Sequence, residues 1–193
     1  MTRTPRSQIP PDFAKNVFIN CSFDDKYQVL FRAIIFTVHD MRFRARCALE
    51  ASNTGQVRID KIQDIIADCK YSIHDTSRTQ LDREHRLPRF NMPLELGLDL
   101  GCKRFGKDHQ QEKVILVMDV ERFRYQKFIS DIAGQDIYAH GGRQAQVINV
   151  VREWLRPELD PRTVLSRAAK EFLSGLELLR ETCPQSAPGF NGM

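Results

Sequence analysis

Short apolar runs alternate along this chain with stretches whose apolar positions recur at helical spacing. Val17, Phe18 and Ile19 form a compact run ended by Asn20, which predicts a buried strand. From Asp25 onward the spacing changes: Tyr27, Leu30, Phe31, Ile34, Ile35 and Val38 fall at i, i+3, i+4, i+7, i+8 and i+11, one helical face. A second strand is predicted over residues 43–49, then a loop over 50–56 whose Ser-Asn-Thr-Gly core is turn chemistry. A second helix carries Ile59, Ile62, Ile65, Ile66 and Cys69, and Tyr71–Asp75 makes a third strand. After a polar, Arg-rich loop over 76–90, a helix begins near Asn91. Residues 113–119 contain the run Val114, Ile115, Leu116, Val117 and Met118, as expected of a central parallel strand covered on both faces. A short helix over 122–132, a strand over 136–139, a helix over 144–155 and a last helix over about 161–181 complete the pattern.

Five rounds of strand and helix predict one α/β domain: a parallel sheet of about five strands with helices on both faces, a three-layer arrangement. The proline-containing residues 1–15 read as a flexible arm, with order beginning at Asn16. The domain then runs over 16–156, an added C-terminal helix over 157–182 and a disordered Pro/Gly/Ser-rich tail over 183–193.

The 193 residues are 41% hydrophobic and 28% charged, a globular composition sized for a single core. A net charge of +4 comes from scattered Arg and Lys, which favours anionic small molecules and makes nucleic acid an unlikely main partner. Neither a leader-like apolar segment nor a bilayer-length one is present, so the expected location is cytoplasmic, without a membrane partner. Cys21, Cys47, Cys69, Cys102 and Cys183 are widely spaced with no C-x-x-C pair, and are expected to be free thiols. No resident cofactor or metal is expected.

In a parallel α/β sheet, ligands collect beyond the carboxyl ends of the strands. That rule restricts the candidates to residues 20–24, Glu50, residues 74–78, residues 91–95 and Asp119. There is no G-x-G-x-x-G and no G-K-[ST], which disfavours ordinary dinucleotide folds and P-loop enzymes. The strongest local signal is the stretch from Phe90 to Gly101. Asn91 or Met92 is the expected cap, Pro93 suits the first turn, and Glu95 falls in that turn, where the helix dipole favours its ionised form.

A fixed anion there can stabilise the oxocarbenium-like sugar formed when an N-glycosidic bond breaks, or can bond to it. Equally, Glu95 can be a structural first-turn acid. Gly97 and Gly101 leave a smooth stripe for close packing. Asp75 can accept ribose hydroxyls or cap its own turn, and His74 reads as a packed histidine. The loop Asn20, Cys21, Ser22, Phe23, Asp24 offers backbone N–H groups, a hydroxyl and an aromatic face for a phosphate or a base, although Asp24 or Asp25 also suits an N-cap. Ser77 and Asn91 complete the substrate-contact candidates. Gly134 suits a helix C-cap, and Arg46 and Glu50 are rim contacts.

Asp75, followed after a loop by Glu95-Leu96-Gly97 and then Gly101, resembles the pattern of nucleoside 2-deoxyribosyltransferase-like proteins, which belong with TIR-like domains. The segment from Val17 to Asp24 is similar to the first strand and substrate loop of that group. The resemblance spans roughly residues 16–155 and is most specific at E-L-G-x-x-x-G. It implies a flavodoxin-like sheet, Glu95 as the catalytic glutamate, Asp75 on the sugar, and residues 20–24 lining the pocket. It also implies a homo-oligomer acting on NAD or a related nucleotide or nucleoside as substrate, in a group that includes antiphage defence proteins. The long Arg-rich loop after Asp75 and the added C-terminal helix depart from the transferases.

Three readings follow. The first is an N-glycosidase working through Glu95. The second is a non-catalytic nucleotide-sensing or assembly module using the same crevice. The third is a nucleic-acid enzyme with a metal on Asp75 and Glu95 and phosphates on the residue 78–89 loop.

Overall fold

The computed structural model describes residues 9–50, 57–79, 89–132 and 136–158. Five strands, β1 (Asn16–Asn20), β2 (Arg44–Cys47), β3 (Tyr71–Asp75), β4 (Val114–Asp119) and β5 (Ile137–Ala139), pair in parallel throughout. Their order is β2-β1-β3-β4-β5, the flavodoxin-like arrangement. Helices α1 (Gln28–Asp40) and α5 (Gln144–Leu155) pack together on one face, and α2 (Arg58–Ala67) and α3 (Asn91–Phe105) on the other, while the short α4 (Asp108–Gln111) follows α3. The protein is thus a three-layer α/β fold. Contacts divide the chain into Met1–Leu155, which holds the sheet and these helices, and Arg156–Met193, of which the 3-10 turn Arg156–Glu158 is described. Among the described residues no helix is long and apolar enough to cross a membrane.

The pleat decides which side chains meet which layer. On β3, Ser72 and His74 face α3 through Asp99, while Tyr71 meets Trp154 of α5 edge to face at 6.0 Å. Phe18 of β1 lies on the α3 side, clustered with Ala48, Ile62, Ile65, Ile66 and Cys69. Both β1 and β3 are buried along their whole length, so the polar residues they carry must find partners inside.

The described elements depart from the periodicity at several points. Order begins before Asn16: Phe13 is buried in a 3-10 turn, its carbonyl accepts the Lys70 N–H at 3.0 Å, and its ring meets His109 edge to face. One buried aromatic outweighs the neighbouring prolines. The second strand stops at Cys47, whose N–H is taken by the Glu50 carboxylate at 2.8 Å, and residues 48–50 turn into a 3-10 helix. No continuous helix covers 122–132. Two 3-10 turns form there instead, Arg124–Lys127 and Ser130–Ile132, the first entered through Phe123 at φ 64°, a left-handed conformation that a helix cannot continue through. Cys69 lies beyond the end of α2 yet is fully buried, and Ile35 is half-buried while Ala33 and Thr37 occupy the inner face of α1. The helix expected over 161–181, the tail, most of the 50–56 loop, Gly134 and residues 80–88 lie outside the described residues.

Candidate active site

From β1 the chain passes outward to β2 and then returns to the far side of β1 to begin β3, so strand order reverses between β1 and β3. At the carboxyl ends of those two strands Asn20 stands opposite His74. The Asn20 amide uses both N–H groups there, donating to His74 Nδ1 at 2.9 Å and to the Met92 carbonyl, in the first turn of α3, at 2.8 Å. Acceptance at Nδ1 leaves the ring proton on Nε2, 2.9 Å from Asp99 Oδ2. Asp99 also receives the Ser72 hydroxyl and sits 3.1 Å from Lys113 Nζ, which in turn donates to the carbonyls of Ile66 (2.8 Å) and Cys69. Burial alone would raise the Asp99 carboxyl, but His74, Lys113 and Ser72 overcome it and hold the pKa below the ordinary range.

This buried chain ties β1, β3, α2 and α3 into one block and explains His74 as a packed histidine. Asn20 therefore positions α3 with both N–H groups of its amide committed. Asp99 and Lys113 were missed by the sequence reading. Their signal was an opposite-charged pair at core positions, Asp99 on the apolar stripe with Met92, Glu95 and Leu96, and Lys113 at the entry to the most apolar strand.

Glu95 is placed differently from the expectation. Helix α3 starts at Asn91 with Phe90 as the residue before it and no side-chain cap, so Asn91 is an exposed first-turn residue and not the cap, and Glu95 lies beyond that turn. Its side chain is on the buried stripe and only 8% exposed. Burial raises its pKa to about 7, offset in part by the Arg58 charge at the start of α2. The dipole does not keep it ionised; desolvation wins, and the group is balanced between its two forms near neutrality. Gly97 and Gly101 do not provide close packing either, since a Cβ at either would meet no atom within 4 Å. The Asn20 bond to Met92 does the fixing, one turn before Glu95.

The buried Cys21 thiol, just past β1, is pushed well up first by burial and then by the charges of Asp75, Cys47, Glu95 and Asp24. Asp75 is fully buried. Its Oδ1 accepts the Ser77 N–H at 2.8 Å and the Ser77 hydroxyl, and its Oδ2 accepts the Tyr27 hydroxyl and faces His140 Nε2 at 3.0 Å. Since His140 Nδ1 accepts the Gly142 N–H, the His140 proton is on the nitrogen facing Asp75. These partners outweigh burial and lower the Asp75 pKa. Three hydrogen bonds and the His140 ring nitrogen thus surround the Asp75 carboxylate, and a ribose hydroxyl would have to displace one of these partners.

Asp24 is partly exposed. Its Oδ1 takes the Tyr27 N–H at 3.0 Å, and its Oδ2 receives Ser22 Oγ, Arg78 and Arg89. Burial would raise this carboxyl, but Ser22 and Arg78 hold it below the ordinary value. Phe23 is half-buried, edge to face with Phe31 at 5.2 Å. Arg46 and Glu50 pair with each other at 2.6 Å at the sheet edge.

Further along the strand ends, Asp119 receives the Val120 N–H and Arg124 Nε (2.8 Å) on Oδ1, and Arg124 Nη2 donates to the Thr76 carbonyl at 2.7 Å, which ties β4 to the loop after β3. Burial raises the Asp119 pKa against the pull of Arg124. Tyr27 and His140 were not among the sequence candidates, because each lies far along the chain from Asp75, and Arg124, five residues from Asp119, was not among them either. Among the described residues no group of three or more His, Cys, Asp or Glu side chains is arranged to hold a metal ion, and Cys21, Cys47, Cys69 and Cys102 are free thiols. Compared with models of known protein families and with curated proteins, the chain matches none.

Proposed function

We propose that the protein is an N-glycosidase that cleaves the C1′ to base bond of NAD or a related nucleotide or nucleoside, by hydrolysis or ribosyl transfer, with Glu95 as the acting carboxyl group. The observation that carries this reading is a buried glutamate with a pKa raised to about 7, beside the loop after β1 at the point where strand order reverses. Such a group is available in both forms at physiological pH, as acid–base work requires.

When the leaving group is neutral, protonated Glu95 donates its proton to the base nitrogen as the C1′–N bond breaks, and the bond pair leaves with the base. When the leaving group is already cationic, as nicotinamide is, no proton is needed. The positive substrate then draws Glu95 into its ionised form, and the carboxylate faces the developing oxocarbenium carbon. Water, or an acceptor hydroxyl, completes the bond to C1′ and releases a proton. Asp75 is occupied by Tyr27, His140 and Ser77, so the chemistry rests on a single carboxyl group, with Asp75 holding the loop around it.

Base or nicotinamide release from NAD and from a nucleoside panel tests this. Glu95→Gln, which keeps shape but cannot titrate, is expected to lower turnover by about 10²–10⁴-fold. No release from any substrate, or equal release by Glu95→Gln, refutes the catalytic reading.

The engagement of Asp75 by Tyr27, Ser77 and His140 favours a second reading, a nucleotide-sensing or assembly module using the same crevice without turnover. In that case ligand stays intact and adds ~2.7 kcal/mol of stability at 100 Kd, in wild type and Glu95→Gln alike.

A further inference from the structure

Two guanidinium groups converge on one oxygen in the loop that follows β1. Arg78 Nε and Nη2 lie 3.1 and 3.0 Å from Asp24 Oδ2, Arg89 Nη1 lies 3.2 Å from the same atom, and Ser22 Oγ donates to it at 2.8 Å. Arg89 Nη1 also reaches Ser22 Oγ at 3.2 Å. A carboxylate oxygen has two lone pairs, and four donors crowd this one, while Oδ1 is taken by the Tyr27 N–H. Among the described residues the cluster, two arginines and one aspartate, therefore carries one surplus positive charge and more N–H donors than its own acid can accept. Its arginine side chains are 31% and 44% exposed, open to a ligand. Ser22, in contrast, is buried and fixes the loop. Asp24 takes the N–H of Tyr27, whose hydroxyl donates to Asp75 at the end of β3, which places the arginine pair at the strand carboxyl ends.

We propose that Arg78 and Arg89 form a phosphate grip, so that the ligand taken at this crevice is a phosphorylated nucleotide or a dinucleotide and not a free nucleoside. The inference rests on the proposed function only in taking the crevice as a nucleotide site, and it does not depend on turnover. A phosphate presents three oxygens in the geometry that a guanidinium fork matches, and spreads over them the donors now crowded on one carboxylate oxygen. The surplus positive charge supplies the attraction. A neutral nucleoside offers nothing to that surplus.

The test is calorimetric titration of the full chain with AMP against adenosine, and with NAD against nicotinamide riboside, at one fixed salt concentration. Wild type is compared with Arg89→Gln, with Arg89→Lys, which keeps the charge but loses the fork, and with Arg32→Gln, an exposed arginine on α1 that controls for net charge. Thermal melts of each variant verify folding. The expected result is a phosphorylated ligand binding at least ten-fold tighter than its unphosphorylated partner, with Arg89→Gln removing most of that difference. Arg89→Lys should fall between, and Arg32→Gln should leave it unchanged.

Equal affinities within each pair, no binding by any of the four, or an equal loss in Arg32→Gln overturns the proposal. Base release measured alongside separates the two claims. Arginine-dependent binding of intact nucleotides, without release, retains the grip and removes the glycosidase. Release from nucleosides as fast as from nucleotides retains the glycosidase and removes the grip.

Discussion

Replacing Glu95 by Gln should make the protein more stable above neutral pH, although the residue is the proposed centre of function. The carboxyl is 8% exposed and burial raises its pKa from the ordinary 4.5 to about 7. Between those two values the folded protein holds a proton on Glu95 that the unfolded chain has already released. Stability falls with rising pH wherever the folded state binds more protons, so this residue is harmless at pH 4.5 and increasingly costly up to pH 7 and beyond. At ~1.4 kcal/mol for each pH unit the ceiling is ~3.4 kcal/mol. Solvent screening of a carboxyl that is not fully enclosed lowers that to about 1–3 kcal/mol. Gln is nearly the same shape and carries no charge at any pH, so it removes the penalty.

Urea unfolding of wild type and Glu95→Gln at half-unit steps from pH 5 to 8.5 measures it, because other titrating groups cancel in the difference between the two. The difference should be smallest at pH 5 and grow by about 1–3 kcal/mol by pH 8, with Glu95→Gln the more stable, equivalent to roughly 2–4 °C in Tm for each kcal/mol. Parallel curves, or a difference that grows toward acid, would show that Glu95 titrates in the ordinary range and would remove the physical basis of its proposed role.

Two further outcomes test the frame around Glu95. Asp99→Ala removes the acid shared by Lys113, His74 and Ser72 and leaves a buried ammonium on carbonyls alone, so it should cost ~3–5 kcal/mol by urea unfolding, with part recovered in the Asp99→Ala, Lys113→Met double variant; a loss below ~1 kcal/mol refutes the network. Burial raises the thiols of Cys21 and Cys69, the latter to about 12, so a thiolate-selective reagent at pH 8 should label the half-buried Cys47 and Cys102 before either; labelling of Cys21 in folded protein as early as those two contradicts its burial.

The layered fold was legible because its information is local. Val17 to Ile19, Tyr71–Asp75 and the run from Val114 are short apolar or alternating segments between helical periodicities, and that alternation selects a parallel sheet covered on both faces. The region to search for a site was legible for the same reason, since topology alone directs ligands to the strand carboxyl ends, where Asp75 closes β3 and Asp24 follows β1. Where local preferences were close, a side chain decided: Phe13 gained burial, Glu50 captured a strand N–H, and Phe123 took a left-handed turn.

The state of each acid belonged to the tertiary structure. Protonation depends on desolvation and on donors brought from distant segments, and neither is written in a residue's neighbours along the chain. Glu95 reads as a dipole-supported anion until α3 begins at Asn91 and turns it inward, where loss of water raises its pKa. Asp75 reads as a free acceptor until Tyr27 and His140 close on it from opposite ends of the domain. Asp99 and Lys113 are ordinary charges until folding removes them from water together, and their pairing then becomes obligatory.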